Sequence, residues 1–214
     1  SLSLGLILGN LIRGLPLDEQ GEFIGHASEL FHPYAMGVGI FTVSLFMMHG
    51  SLYLLLKTEG DLHDAIRGRS YFCIIFFSIC YCLVTMATLI YMPHMVEALQ
   101  TRPIFFLVAI VNLLIVANIP REIYFGRDTR AFVSSCLNML CLLTLYAIGT
   151  YPIVVRGLPD PGRLSLTIYN SASSTLTLEI LFLFALIGMP LVVTYTTAVY
   201  YIFRGKVRLD KHSY

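Results

Sequence analysis

The sequence predicts an all-α protein: a polytopic transmembrane helix bundle with five full crossings, preceded by an N-terminal half helix. Three observations carry this expectation. Hydrophobic residues make up 57% of the 214 and charged residues only 13%, against about 25% charged in ordinary soluble domains. Mean hydropathy is +0.75. Five stretches without a charged side chain approach or exceed the roughly 20 residues that a helix needs to cross a hydrocarbon core of about 30 Å. A water-soluble globule is disfavoured on the same grounds, and a formal net charge of +1 offers no basic surface for nucleic acid.

The elements follow in chain order. Residues 1–12 are apolar, but at about 1.5 Å per residue they reach only some 18 Å, half a crossing. With no initiator Met, no basic n-region and no small-residue cleavage site, a signal peptide is a poor reading. The expectation is the end of a truncated helix. The crossings are read at Leu30–Leu56, Ser70–Val96, Pro103–Pro120, Ala131–Val155 and Ile180–Phe203. The third, between Arg102 and Arg121, is the shortest and spans with little tilt. The domain reading is a single transmembrane domain over 1–214, with a four-helix unit at 30–155, a final helix at 180–203 and a tail at 204–214.

Lys and Arg cluster in alternate connections. The connections at 57–69 and 121–130 and the tail together hold ten, and those at 13–29, 97–102 and 156–179 together hold four. The positive-inside rule therefore places the first set, and the C-terminus, in the cytoplasm. Lys57 through Gly60 puts a cation in a last helical turn and a glycine just beyond, and Phe203-Arg204-Gly205-Lys206 repeats the pattern. This suits the helix dipole and a left-handed cap. The plain reading of these basic groups is that they anchor helix ends and snorkel to the headgroups.

One local identity stands out. Arg13-Gly14-Leu15-Pro16 and Arg156-Gly157-Leu158-Pro159 each open a connection of the low-charge set, four crossings apart. An even number of crossings makes this a parallel repeat, two four-helix units with most of the first missing.

Ionisable residues inside the apolar stretches are scarce. Glu179 stands at the entry of the last helix and His49 about two turns from Lys57, while Asn112, Asn118 and Asn138 make up most of the remaining polarity. Buried amides and hydroxyls more often tie helices together than conduct protons. His32 and His49 share one helix and His94 lies near a helix end, so no second mid-membrane histidine faces His49 for haem ligation. Cys73, Cys80, Cys82, Cys136 and Cys141 lie in apolar runs without CxxC spacing, giving neither a disulfide framework nor a zinc site. Gly188-Met189-Pro190 should kink the last helix. Tyrosines such as Tyr34, Tyr91, Tyr124, Tyr151 and Tyr169 fall near helix ends, as an interfacial belt requires. No phosphate-binding glycine loop, activated nucleophile or carboxylate pair is present, so the chain is not an evident enzyme by itself. On the residues alone, part of a secondary transporter or channel and a haem-binding membrane cytochrome stay open beside a structural subunit.

Several segments together resemble subunit II of the cytochrome bd quinol oxidases. They are Gly9-Asn10-Leu11-Ile12-Arg13-Gly14-Leu15-Pro16, Pro33-Tyr34-Ala35, His49-Gly50 leading to Leu56-Lys57-Thr58-Glu59-Gly60, and Gly188-Met189-Pro190-Leu191 with Tyr195 and Tyr201-Ile202-Phe203-Arg204-Gly205-Lys206-Val207. The resemblance implies a respiratory complex of the bacterial cytoplasmic (inner) membrane that oxidises quinol and reduces dioxygen to water. It implies a haem-bearing partner, subunit I, holding haem b and haem d. Small accessory subunits and membrane lipid are further implied partners. Subunit II itself is implied to be haem-free, two four-helix units and one more helix, serving assembly and cofactor retention. The family's early Gly-Phe-Asp-Leu-Gly and Gly-Asn-Glu-Val-Trp motifs are absent, and the absence of Trp agrees. No proton-path residue is transferred, because the family's proton-delivery acids belong to that missing part. Arg13, Lys57, Glu59, Gly60 and Arg204 are expected to be boundary and interface groups, with no catalytic, cofactor or metal residue in this chain.

Overall fold

The computed structural model describes residues 1–101 and 103–205. It is an all-α bundle with five helices long and apolar enough to cross a membrane and a shorter apolar helix before them. The order is α1 (Leu2–Arg13), β1 (Leu15–Pro16), a 3-10 turn (Ala27–Phe31), α2 (Pro33–Lys57), α3 (Gly60–Tyr91), α4 (His94–Thr101), α5 (Ile104–Tyr124), α6 (Asp128–Thr150), β2 (Ile153–Val155), β3 (Gly157–Leu158), α7 (Pro161–Leu164), β4 (Leu166–Thr167) and α8 (Thr175–Ile202). One end of the bundle carries Arg13 and the chain between α6 and α8. The opposite end carries Lys57 and the turn between α5 and α6.

Helices extend beyond the apolar stretches where polar residues still favour helix. α3 starts ten residues before Ser70, so the expected connection at 57–69 shrinks to Thr58 and Glu59. The segment from Gly60 to Arg69 carries Asp61 in its first turn, where an acidic side chain suits the dipole. Gly60 is left-handed at φ +64°, yet it opens α3, and the C-cap of α2 is the extended Thr58. The stretch Ser70–Val96 is broken at Met92-Pro93, because the residue before proline is steered out of the helical region, and α4 follows as a separate piece. α5 runs through Pro120 to Tyr124. α8 likewise runs unbroken through Pro190. The tail from 206 onward, with Lys206, Arg208 and Lys211, lies outside the described residues, as does Arg102.

The core sits among α2, α3, α5 and α6. Leu45, Met48, Leu52, Leu55, Ile74, Phe77, Val116, Ile119, Ile123 and Ala131 form its buried cluster. The α2–α3 contact is aromatic, with Phe41 stacked on Phe77 at 5.7 Å and Tyr81 at 5.9 Å from Phe77. A smaller cluster of Ile12, Tyr34, Val38 and Met92 joins α1, α2 and the break after α3.

α1 and α2 approach through small residues. A Cβ on Gly5 would stand 2.7 Å from the Cα of Gly39, and one on Gly9 would stand 2.6 Å from the Cα of Ala35. Small side chains four residues apart on each helix let the backbones meet, the packing device of helices that gain nothing from hiding apolar surface from lipid. Asn10 locks the pair's end by donating to the carbonyls of Leu6 and Leu30 at 2.9 and 2.7 Å.

Candidate functional site

At the end carrying Lys57, four of the five expected boundary residues come near one another in the chain's path. The last carbonyls of a helix lack intrahelical donors. Lys57 supplies one at the end of α8: its Nζ donates to the carbonyl of the C-cap residue Phe203 at 3.1 Å and to that of Gly205, just beyond the helix, at 3.3 Å, and its ammonium stands 5.8 Å from the Tyr53 ring centroid. Arg204 lies over the Tyr201 ring at 4.2 Å. Glu59 and Gly60 follow Lys57 at the start of α3 and are exposed. The Lys57 bonds attach the end of the final helix to α2; α8 has no buried residue along its 28 positions.

The same end holds a charged group that the apolar-stretch reading missed. Glu122 is only 3% exposed, because α5 continues past Pro120 and puts Glu122 between the buried Ile119 and Ile123. Arg121 and Arg127 reach its two carboxylate oxygens at 3.4 and 3.9 Å, and both guanidinium groups also flank the Phe125 ring at 5.7 and 5.5 Å. The signal was a carboxylate at helical spacing from apolar residues with arginines on either side. Ending the crossing at Pro120 hid it. Nearby, Asp128 at the start of α6 binds Arg67 of α3 at 2.5 Å and His63 at 3.4 Å.

Arg13 sits apart, at the opposite end. Its guanidinium donates to the Glu29 carbonyl at 3.2 Å, tying the end of α1 to the 3-10 turn. His32 caps α2 by accepting the Tyr34 amide on Nδ1 at 3.2 Å, a role that needs the neutral ring. Desolvation, with the Arg13 charge behind it, pushes the His32 pKa down. His94 donates from Nε2 to the Ile12 carbonyl at 2.9 Å. Burial lowers the His94 pKa, and the Arg156 charge adds to that, against the pull of the bond to Ile12 and of Glu97. Leu15 and Pro16 pair in parallel with Gly157 and Leu158, and Arg163 binds Glu19 at 2.6 Å.

Between the two ends runs a polar interior. His49 on α2 meets the Ser135 hydroxyl of α6 at 2.9 Å. Ser135 donates its own proton to the Phe132 carbonyl at 2.7 Å, so it accepts from His49, which places the imidazole proton on Nδ1. Phe132 lies against the His49 ring at 5.0 Å. Asn118 donates to Ser134 across the α5–α6 seam at 3.1 Å, and Asn112 donates to the Tyr81 hydroxyl of α3 at 3.1 Å. Glu179, on the second turn of α8, is exposed.

Each histidine among the described residues has a partner within the chain. His26 and His32 cap helices, His63 pairs with Asp128, His94 serves the Ile12 carbonyl and His49 serves Ser135. No three His, Cys, Asp or Glu side chains converge on a point among the described residues. What the arrangement can do is join helices: cations on helix ends, hydroxyls and amides across seams, and long apolar faces left open.

The family model for cytochrome bd terminal oxidase subunit II matches residues 1–203. The chain is 22% identical to cytochrome bd-I ubiquinol oxidase subunit 2 of Escherichia coli strain K12, over 96% of this chain and 62% of that protein. It is 27% identical to a probable cytochrome oxidase subunit 2 of Haemophilus influenzae, over 92% of this chain and 59% of the relative. With cytochrome bd ubiquinol oxidase subunit 2 of Bacillus subtilis the identity is 24%, over 95% and 59%. The chain thus spans about three fifths of the length of the curated relatives it matches. A match that runs from the first residue to the end of α8, on a bundle of membrane-spanning helices, settles the family: this chain belongs to the cytochrome bd terminal oxidase subunit II family.

Proposed function

We propose that this chain works as the haem-free partner in a bd-type terminal oxidase of the bacterial cytoplasmic membrane, where quinol oxidation and dioxygen reduction take place on haem b and haem d held by subunit I. Its contribution is structural: it seals and shapes the low-dielectric surroundings of its partner's cofactors. The observation that carries this reading is α8. Its 28 residues, predominantly apolar and with none buried in the chain itself, present Phe182 and Phe184 about 70% exposed and form a surface for lipid and for another helix. The outward residues Phe72, Ile75, Ile79, Leu83, Met86 and Ile90 of α3 recur every three or four positions and offer a second stripe of the same kind. In this reading the Lys57 end faces the cytoplasm, supported by the ten-to-four bias of Lys and Arg in the connections.

The test is co-expression of the chain with its cognate haem-bearing subunit. Stable co-purification, with all haem absorbance travelling with the partner, is the expected result. A Soret band on this chain purified alone, or normal oxidase assembly without it, would overturn the proposal.

A further inference from the structure

The interior of the α2, α3, α5 and α6 unit contains polar atoms that no protein group satisfies. Asn138 is fully buried, and neither its Nδ2 nor its Oδ1 has a hydrogen-bond partner. Asn112 is equally buried; its Nδ2 is taken by Tyr81, but its Oδ1 has no partner.

The two amides lie at neighbouring depths. α5 and α6 run antiparallel from the turn at Phe125–Arg127, and the Asn118–Ser134 bond sets their register. From that bond Asn112 lies six residues back along α5 and Asn138 four residues on along α6, which is about 9 and 6 Å at the helical rise. Asn112 shares its face with the buried Val116 and Ile119, and Asn138 shares its face with the buried Ala131, Ser134 and Ser135. Both side chains thus lie on the buried faces of adjacent helices, about 3 Å apart in depth, and they make no bond to each other. Lipid offers no donor that could reach them. Buried water typically makes two to four bonds to groups of this kind.

We propose that the space between them is a water site holding a pair of molecules, the smallest set that satisfies all three free amide atoms. One water donates both protons, to Asn112 Oδ1 and Asn138 Oδ1. The second accepts from Asn138 Nδ2 and donates to the first. With the Asn112–Tyr81 bond the pair completes a polar link from α3 through α5 to α6, so the helix seam depends on hydration at its centre. The site stands on this chain's own residues and does not rely on the partner assigned above.

A high-resolution cryo-EM map of the purified membrane complex containing this chain tests the site directly. Discrete density at about 2.7–3.2 Å from Asn138 Nδ2 and from Asn112 Oδ1 is expected. Direct contact between the two amides, or apolar side chains closing the space between them, would overturn the proposal. The variant Asn138→Leu gives a second readout: its thermal midpoint should fall, because it strands Asn112 and expels the waters. An unchanged or higher midpoint would mean that the amide had no hydrated partners to lose. Should Asn138→Leu fail to assemble, the map of the unmodified complex decides the question.

Discussion

The amide of Leu15 donates to the carbonyl of Arg156 at 2.8 Å. That bond joins the two Arg-Gly-Leu-Pro segments, which lie 143 positions apart in sequence, into a short parallel pair. The repeat is therefore a contact as well as an echo. Gly157 is buried in it, and a Cβ there would run into the backbone of Leu164. Gly157→Val should break this strand pair and lower the thermal midpoint of the complex, while Gly162→Ala, whose Cβ would meet only the Asp160 carboxylate at 3.4 Å, should not. Parallel melting curves of the two variants check this.

Helix α1 is held by absence of side chains. Gly9→Leu should cost about 1–3 kcal/mol, the usual range for overpacking, because the Ala35 backbone cannot retreat from the new atoms. Gly37→Ala, with nothing within 4 Å of its Cβ, is the control on α2. Protease sensitivity of the segment preceding α2 should rise in the first and stay level in the second.

Lys57 is the test of an assembly role against a catalytic one. Lys57→Gln loses the charge that holds the Phe203 and Gly205 carbonyls, so the yield of assembled complex should drop several-fold while turnover per haem stays constant. Glu59→Gln is expected to act in the same direction. Constant haem content with collapsed turnover would transfer these residues to the catalytic machinery. Haem-normalised oxygen consumption distinguishes the two.

His94 makes the Arg13 end sensitive to acid. Its pKa is depressed in the folded chain relative to the unfolded value near 6.5, so the unfolded state binds the proton more readily. The His94 contribution is therefore complete above pH 6.5 and is lost as pH falls through the lower, folded value. His94→Gln keeps a donor for the Ile12 carbonyl and removes the titration. The complex carrying it should show a flatter stability profile between pH 7 and 5 than the unmodified one.

Fold class was legible from the sequence because burial in lipid demands long uncharged runs, and those runs are visible one residue at a time. The helix ends were legible less well. Charge ends at Arg69 and returns at Arg121, so the apolar runs start at Ser70 and stop at Pro120 although the helices persist beyond both. Glu122 and the polar first turns of α3 were lost for that reason. Lys57 and Arg204 were picked out as boundary groups by their place beside helix ends, but nothing in the spacing said that Lys57 would reach across to the carbonyls of α8. Likewise Gly5 and Gly9 could be read as a small-residue pair only once Ala35 and Gly39 stood opposite.

Composition and the run of apolar residues determined by themselves that this protein spans a membrane several times and belongs among helical bundles, because hydropathy and length are sums over neighbours in sequence. The tertiary structure alone decided which polar atoms meet: Leu15 with Arg156, His49 with Ser135, and Asn112 with Tyr81. Such pairings depend on the relative rotation and register of helices, which packing sets and which no local pattern encodes.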